Sequence, residues 1–468
     1  MKNSARKTNP RPPTAKKRTT GKRADSITRA KDPGIITYLT GLSVLHPSKH
    51  RVPFDLYRYQ RALLKSRAPE RLVIKARQVG ISQVIAGEAL HAAKYHAGDT
   101  TLFVSRNLAA ARHLQRLMHL LLREDPEMGE LVAEKNRTEL RLTNDSSVLS
   151  LPANEETGRT FAASRVYLDE FAHVQYADEI YQATVPCVSH GGRLMVVSTP
   201  KGKNNLFYRL YAETQLGLRN FEIHRIHWTQ CPVYNPKGAD LEDPEERRKL
   251  GEQGEWFRQM RPRFTEEEWA EEFECDFQSS AGLVFREFDP EVHVGDYEYN
   301  PRWPTFVGQD FGYTNPAVAL VVQISPSEHV FVVDELYRTH RPISLLAREE
   351  YLPLGERYRV RTWYCDPSGA QEIAELREAG LPALGRTSDQ REGILLIRKL
   401  LRPPGLPPQH SRLHIARRCR HLISELSTYA YEEGTDRPKP EADHGVDALR
   451  YCLINCFRRR PGATTVEW

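Results

Sequence analysis

Cysteine is scarce and unpatterned in this chain. Seven occur among 468 residues, no two form a C-x-x-C pair, and the closest are Cys452 and Cys456. That spacing argues against a zinc site and suits a reducing compartment. Long apolar runs are also missing. None approaches the ~20 residues needed to span a bilayer, so no membrane partner is expected, and no secretory signal is recognisable. Acids are nearly absent from the first stretch. Residues 1–31 hold eleven Lys/Arg against Asp25 alone, a charge of +10 (11 − 1), which leaves the rest near −4 (+6 − 10). This stretch is rich in Pro and Thr and has no apolar periodicity, so residues 1–35 read as a disordered tail that can hold nucleic acid electrostatically. Its basic, acid-poor composition resembles a transit peptide, but it lacks the amphipathic period.

The last absence is a lysine. The usual phosphate loop, G-x-x-x-x-G-K-[ST], carries its lysine after the second glycine. Residues Lys75 to Ser82 read K-A-R-Q-V-G-I-S. In register, Gly80 is the second glycine, Ser82 the magnesium-binding hydroxyl, Ile81 stands where lysine belongs, and Lys75 takes the first glycine position. A lysine at the mouth of the loop still reaches the β and γ phosphates, while Gly80 lets backbone N–H groups approach them. Arg77 lies inside the loop, placed for a contact to the γ-phosphate in cis, and Gln78 lies beside it. The flanks fit: Arg71-Leu-Val-Ile-Lys75 is a short apolar strand, and Ser82 to Leu90 has a helical pattern whose N-terminus attracts anions.

Three further segments follow this chemistry. Arg165-Val-Tyr-Leu-Asp169-Glu170 is an apolar strand ending in two acids. Asp169 is placed to hold Mg²⁺ through water, and Glu170 to orient or deprotonate the attacking water. Leu194-Met-Val-Val runs into Ser198-Thr199-Pro200-Lys201-Gly202, where Ser198 and Thr199 can sense the γ-phosphate. Upstream, Pro53-Phe-Asp-Leu-Tyr-Arg-Tyr-Gln60 places aromatics and an amide before the loop. These either sandwich adenine and read its edge through Gln60, or pack a core with Phe54, Tyr57 and Tyr59. Arg159, in Thr157-Gly-Arg-Thr160, is either a solvated loop arginine or a finger reaching a neighbouring subunit's nucleotide.

At 468 residues and 40% apolar composition, the chain has material for two domains with real cores. Past Ser198 the strand–helix alternation fades, and residues 236–295 read as a charged helical linker or lid. A new unit starts at Thr305. Asp310 ends a first strand, Ala317–Ile324 forms a second and His329–Leu336 a third. A helical stretch from Ile343 precedes a strand ending at Asp366-Pro367. Asp443-His-Gly-Val-Asp447 opens a final helix. Three meandering strands, helix, strand and late helix is the ribonuclease-H order. Asp310, Asp366 and Asp447 then converge as candidates to bind two Mg²⁺ or Mn²⁺ ions about 4 Å apart for in-line phosphodiester cleavage. His444 shares the helix face of Asp447 as an extra ligand or proton carrier. Asp334 and Glu335 compete for a fourth carboxylate role.

K-A-R-Q-V-G-I-S, Y-L-D-E, S-T-P-K-G, D-F-G, C-D-P and D-H-G-V-D-A-L-R-Y together resemble the large terminase subunit of tailed double-stranded DNA bacteriophages, over roughly residues 40–457. The leading-lysine loop is a known variant of that family. The resemblance implies an α/β chain. A P-loop ASCE-type ATPase domain with a mainly parallel sheet, residues 36–235, would precede a ribonuclease-H-like nuclease domain, residues 296–457, with a short tail at 458–468. It implies ATP hydrolysis by Lys75, Arg77, Ser82, Asp169 and Glu170, coupling through Ser198 and Thr199, Arg159 as the trans-acting finger, and DNA cutting by Asp310, Asp366 and Asp447 with His444. It further implies double-stranded DNA, a portal protein and a small terminase subunit as partners, and a pentameric ring when packaging that is compatible with a monomer in solution. Its place would be the cytoplasm of the infected bacterium, outside the mature virion. The competing reading, a repair or restriction helicase-nuclease, would need a second RecA-like domain, and only residues 36–235 offer room for one. A scaffold with relic sites would need missing carboxylates, and none is missing.

Overall fold

The computed structural model describes residues 32–45, 50–154, 163–189, 191–277, 282–386, 389–403, 407, 410–432, 435, 437–440 and 443–457. Two sheets organise them. The first holds β1 (Glu70–Lys75), β2 (Thr100–Ser105), β3 (Val132–Lys135), β4 (Glu139–Leu142), β5 (Ser147–Pro152), β6 (Arg165–Asp169), β7 (Arg193–Ser198) and β8 (Glu222–Ile226), in the order β8-β1-β7-β6-β2-β5-β4-β3. The six strands from β8 to β5 are parallel, and β4 and β3 close the far edge antiparallel. Among the helices flanking these strands are α1 (Arg58–Lys65), α2 (Ile81–Tyr95), α3 (Leu108–Leu122), α4 (Ala177–Val188) and α5 (Leu206–Gln215). A parallel sheet covered on both faces needs strands that are apolar throughout. β1 and β7 have that character, with every residue after the first buried.

The order has one consequence for chemistry. β7 lies between β1 and β6, with Ile74 opposite Ser198 and Asp169 opposite Val197. The loop lysine, the Ser-Thr exit and the acid pair therefore leave the sheet at one edge, at the carboxyl ends of three adjacent strands, where open α/β sheets place their ligands.

β8 was not expected, because Glu-Ile-His-Arg-Ile has an indifferent pattern. It pairs parallel to β1 and extends the sheet past the loop strand. The segment expected as a linker or lid is helical at Pro244–Glu252, Glu255–Met260 and α6 (Glu266–Glu272). It is not a free connection. Trp269, Phe273, Cys275 and Phe277 are buried in the first core, and Trp256 stacks on Tyr234 at 4.1 Å between ring centroids. Each such buried aromatic contributes on the order of 1.5–3 kcal/mol through apolar burial alone.

The second sheet holds β9 (Val294–Gly295), β10 (Thr305–Asp310), β11 (Ala317–Ile324), β12 (Val330–Arg338), β13 (Thr362–Cys365), β14 (Ala383–Gly385) and β15 (Leu413–Ala416), in the order β9-β15-β12-β11-β10-β13-β14. β10, β11 and β12 meander antiparallel, and β13 and β14 add parallel on the side of β10. β11 is buried at all eight positions. Alternation sends Val318, Leu320 and Val322 into one core, and Ala317, Ala319 and Val321 into the other. The first of these cores is closed by α7 (Gln390–Leu401), α8 (Arg420–Thr428) and α9 (His444–Phe457). α9 lies hard against β10, because a Cβ at Gly308 would collide with the Ala448 carbonyl. The two units meet where α5 packs on α8, with Leu216 joining the second unit's core. Among the described residues no helix is long and apolar enough to cross a membrane.

Candidate functional site

β1 ends at Lys75, and the chain turns into α2 through Gln78 (φ 55°) and Gly80 (φ 76°), both left-handed. Gly80 is needed twice over. Its backbone suits glycine, and a Cβ there would come within 2.8 Å of Gln60 Nε2. The loop is braced from several elements. The Tyr59 hydroxyl donates to the Val79 carbonyl at 2.7 Å, and Gln60 Nε2 faces the Val79 and Gly80 carbonyls at 3.5 and 3.4 Å. The Tyr234 hydroxyl donates to the Arg77 carbonyl at 3.0 Å. The Ala76 and Arg77 N–H groups donate to the carbonyls of Ile226 (2.8 Å) and Glu272 (2.7 Å). Phe54 and Tyr59 are core residues and Gln60 is buried under the loop, which favours packing over the adenine role for this segment. Ser82 stands half-buried in the first turn of α2, beside the helix's partial positive end. The Arg77 guanidinium is largely exposed, 3.6 Å from the Glu272 carboxylate.

Across the strand ends, Lys75 Nζ forms an ion pair with Glu170 Oε1 at 2.9 Å. Glu170 follows β6 in a left-handed conformation (φ 53°), unusual for a non-glycine residue and a mark of local strain. Burial raises the Glu170 carboxyl, but the Lys75 charge and hydrogen bond, with His173 and Arg106, outweigh it and hold the group below its ordinary value. Asp169 moves the other way. Burial lifts it first and the neighbouring Glu170 charge second, against Lys75 and Arg106. Its Oδ1 is buried with no hydrogen-bond partner. An orphaned carboxylate oxygen at the mouth of a phosphate loop fits a magnesium-bound water, and the donor chemistry suits that ion. Ser198 Oγ accepts from the Ala172 N–H at 3.1 Å, and Thr199 Oγ1 lies 3.1 Å from His173 Nε2. The Ser-Thr exit is thus tied to the turn that carries Glu170. One group here was not singled out in the sequence. Arg106 follows β2, whose Ser105 pairs with Asp169, and its charge acts on Asp169, Glu170 and His173 alike. A lone arginine after an apolar strand carries no motif, so only the strand order reveals it. Arg159 lies outside the described residues.

The second set gathers at the C-terminal end of β10. Asp310 is its last residue, and Asp366 follows β13 with its N–H donating to the Gln309 carbonyl at 3.0 Å. His444 and Asp447 lie in the first turn of α9. His444 Nδ1 is 2.9 Å from Asp310 Oδ2. Burial pushes the Asp310 carboxyl up to about 6, His444 opposes this, and the Asp447 and Asp366 charges add to the rise. The His444 ring is raised by its bond to Asp310, against burial. Each of the other acids has its own partner. Asp366 accepts from Ser368 N (3.0 Å) and Ser368 Oγ (2.6 Å), and Asp447 pairs with Arg450 at 3.0 Å. In this arrangement no three acidic, histidine or cysteine groups among the described residues are gathered closely enough to enclose an ion. The donor set is nevertheless the hard-oxygen kind that Mg²⁺ and Mn²⁺ take. Asp334 accepts from the Tyr358 hydroxyl at 2.7 Å. Glu335 caps α8 by accepting from the His421 and Leu422 N–H groups at 2.9 and 3.1 Å. Both rivals for a fourth carboxylate therefore have structural partners.

Residues 72–291 match the family model described as terminase large subunit, T4likevirus-type, N-terminal. Among solved structures, the large terminase of bacteriophage HK97 is 12% identical over 91% of this chain and 98% of its own, with a TM-score of 0.48. The large terminase ATPase domain of Thermus phage P74-26 is 20% identical over 47% of this chain and 93% of its own, with a TM-score of 0.36. The P22 large terminase nuclease domain is 14% identical over 38% of this chain and 93% of its own, with a TM-score of 0.32. The fold is α/β, a mainly parallel eight-stranded sheet followed by a seven-stranded mixed sheet built on an antiparallel meander, and residues 72–291 are similar to the N-terminal part of terminase large subunits of the T4likevirus type.

Proposed function

We propose that this chain hydrolyses ATP to drive double-stranded DNA into a viral procapsid and cuts the concatemer with a second, metal-dependent site. The observation that carries the reading is the meeting of Lys75, Glu170 and the Ser198–Thr199 exit at three adjacent strand ends. Lys75 holds Glu170 at 2.9 Å. An incoming γ-phosphate competes for the lysine and leaves the carboxylate free to orient or deprotonate water. Gly80, Gln78 and the N-terminus of α2 would cradle the phosphates, Ser82 and Asp169 would hold the Mg²⁺, which supplies charge stabilisation to the transferred phosphoryl, and Arg77 would exchange Glu272 for the γ-phosphate. Ser198, bonded to the turn after Glu170, passes the change to α5. The trans role of Arg159 belongs to the same reading.

In the second unit, Asp310, Asp366 and Asp447 would hold Mg²⁺ or Mn²⁺ ions, which supply charge stabilisation to the cleaved phosphodiester. The chain's own part is to bring three carboxylates together, to hold His444 against Asp310 and to release Asp366 and Asp447 from Ser368 and Arg450. The division at 36–235 and 296–457, the portal and small-subunit partners, the pentameric ring and the bacterial cytoplasm complete the proposal. The test is packaging itself. Purified protein with ATP and matching procapsids should render DNA resistant to nuclease, and Glu170→Gln should not. Equal protection by both, or by neither, contradicts the reading.

A further inference from the structure

Glu425 is a carboxylate that the chemistry above does not use. It lies on α8, is 3% exposed, and has no basic side chain bonded to it among the described residues. Its Oε2 accepts from the Val446 N–H at 2.9 Å, the Gly445 N–H also points to it, and its Oε1 accepts from the Tyr337 hydroxyl at 3.1 Å. Val446 and Gly445 belong to the first turn of α9, whose first N–H groups have no intrahelical acceptor. A carboxyl group from another helix fills that need with an acceptor oxygen. Tyr337 lies opposite Val318 on β11, and Val318 lies opposite Asp310 on β10. Glu425 therefore joins the strand meander that carries Asp310 to the helix turn that carries His444 and Asp447.

The glycine in D-H-G-V-D is explained by the same contact. A Cβ at Gly445 would stand 2.9 Å from Glu425 Oε2 and 3.4 Å from its carboxyl carbon. The carboxylate lies on the helix backbone where a side chain would otherwise be. Gly308 makes the matching close approach on the sheet side, against Ala448. α9 is thus seated from two directions, by the β10 backbone and by a buried acid.

We infer that Glu425 is a positioning residue for the nuclease site, fixing the first turn of α9 so that His444 meets Asp310 and Asp447 faces the other acids. This rests on the nuclease reading of those acids. Supporting groups behind metal-binding residues commonly carry about 10–100-fold of activity when removed. The experiment is steady-state nicking of plasmid DNA with Mn²⁺ by the full chain and by Glu425→Ala, Glu425→Gln, Gly445→Ala and the Glu425→Ala/Gly445→Ala pair, with circular dichroism on each. Asp447→Ala serves as the inactive control. Glu425→Ala should lose about 10–100-fold in kcat with KM for DNA unchanged, because the residue is buried and touches no DNA. Glu425→Gln keeps an oxygen for the Val446 N–H and should stay close to the parent rate. Gly445→Ala should be harmful alone, and the pair should lose less than the product of the two single losses, since removing the carboxylate makes room for the methyl. If Glu425→Ala does not fold, the Gln variant and the Gly445→Ala loss decide. Parental kcat in Glu425→Ala beside an inactive Asp447→Ala overturns the inference, as does a change confined to KM or a strictly multiplicative pair. An active Asp447→Ala removes the nuclease reading, and this inference falls with it.

Discussion

Lys75→Ala tests the displaced lysine of the phosphate loop, with Ile81→Ala as its comparison. Lys75 is 5% exposed, and its ammonium stands 2.9 Å from Glu170. At an effective dielectric of about 20, the gross attraction at that distance is about 6 kcal/mol. Most of it is offset by desolvation, and removing one partner of a buried pair typically costs about 3–5 kcal/mol. The Glu170 side chain is 31% exposed and water can reach it, so about 2 kcal/mol of stability is the reasonable expectation here. The chemical loss should be larger in effect. Without the lysine, Glu170 loses the charge that keeps it ionised, and the transferred phosphoryl loses a cation, together about 10²–10³-fold in turnover. Ile81 is different in kind. It is 2% exposed in the first core, so Ile81→Ala should cost about 2–5 kcal/mol of stability and leave turnover near normal at temperatures where the chain remains folded. The assays are phosphate release at a temperature well below both unfolding transitions, and thermal melts of both variants. Strong loss of turnover in folded Ile81→Ala with little in Lys75→Ala would refute the register of the loop.

Glu170→Gln should retain nucleotide binding by equilibrium dialysis while phosphate release falls to background, because Asp169 and Ser82 remain and only the carboxylate is lost. Burial raises Glu425 to about 8, above its ordinary value, so the folded state holds a proton there that the unfolded chain releases from about pH 4.5. The native state binds more protons across that window, so stability should fall as pH rises from about 4.5 to 8. Urea melts of Glu425→Gln should show a shallower fall, and an unchanged pH slope would contradict the assignment. Removing residues 1–31 takes away ten net positive charges (11 − 1) and should flatten the salt dependence of DNA binding. An unchanged slope in a filter-binding titration would show that the tail does not touch phosphate.

Much of the site was legible in the sequence because its chemistry is local. Lys75, Gly80 and Ser82 sit within eight residues, and Asp169–Glu170 and Ser198–Thr199 each close an apolar strand. Strand periodicity also located β10, β11, β12 and β13, whose ends carry Asp310 and Asp366. What stayed hidden depends on partners far along the chain. β8 is recognisable as a strand only through its pairing with β1. The charged segment after residue 236 reads as a linker because its few aromatics are scattered. Yet Trp256, Trp269 and Phe273 pack together with Tyr234 and Trp228, and Glu272 accepts a hydrogen bond from the loop. Arg106 and Glu425 carry no motif at all. A charged side chain in a helix or after a strand usually faces water, and only the packing of β2 beside β6, and of α8 beside α9, gives these two a role. Gln60 shows the opposite case, an amide with the spacing of a base reader that the fold places under the loop backbone.

The measurement closest to the central claim, two chemistries at separate sites of one chain, is phosphate release and plasmid linearisation run side by side on the parent and on Asp310→Ala and Asp447→Ala. Asp310 and Asp447 belong to the second sheet and its last helix, whereas Lys75, Asp169 and Glu170 belong to the first sheet. Either substitution should therefore abolish metal-dependent cutting and leave ATP hydrolysis near the parent value, since each acid serves a shared site and its loss removes most of the activity rather than half. Full cutting by the Asp447 variant, or loss of ATP hydrolysis in a variant whose circular dichroism matches the parent, would contradict it.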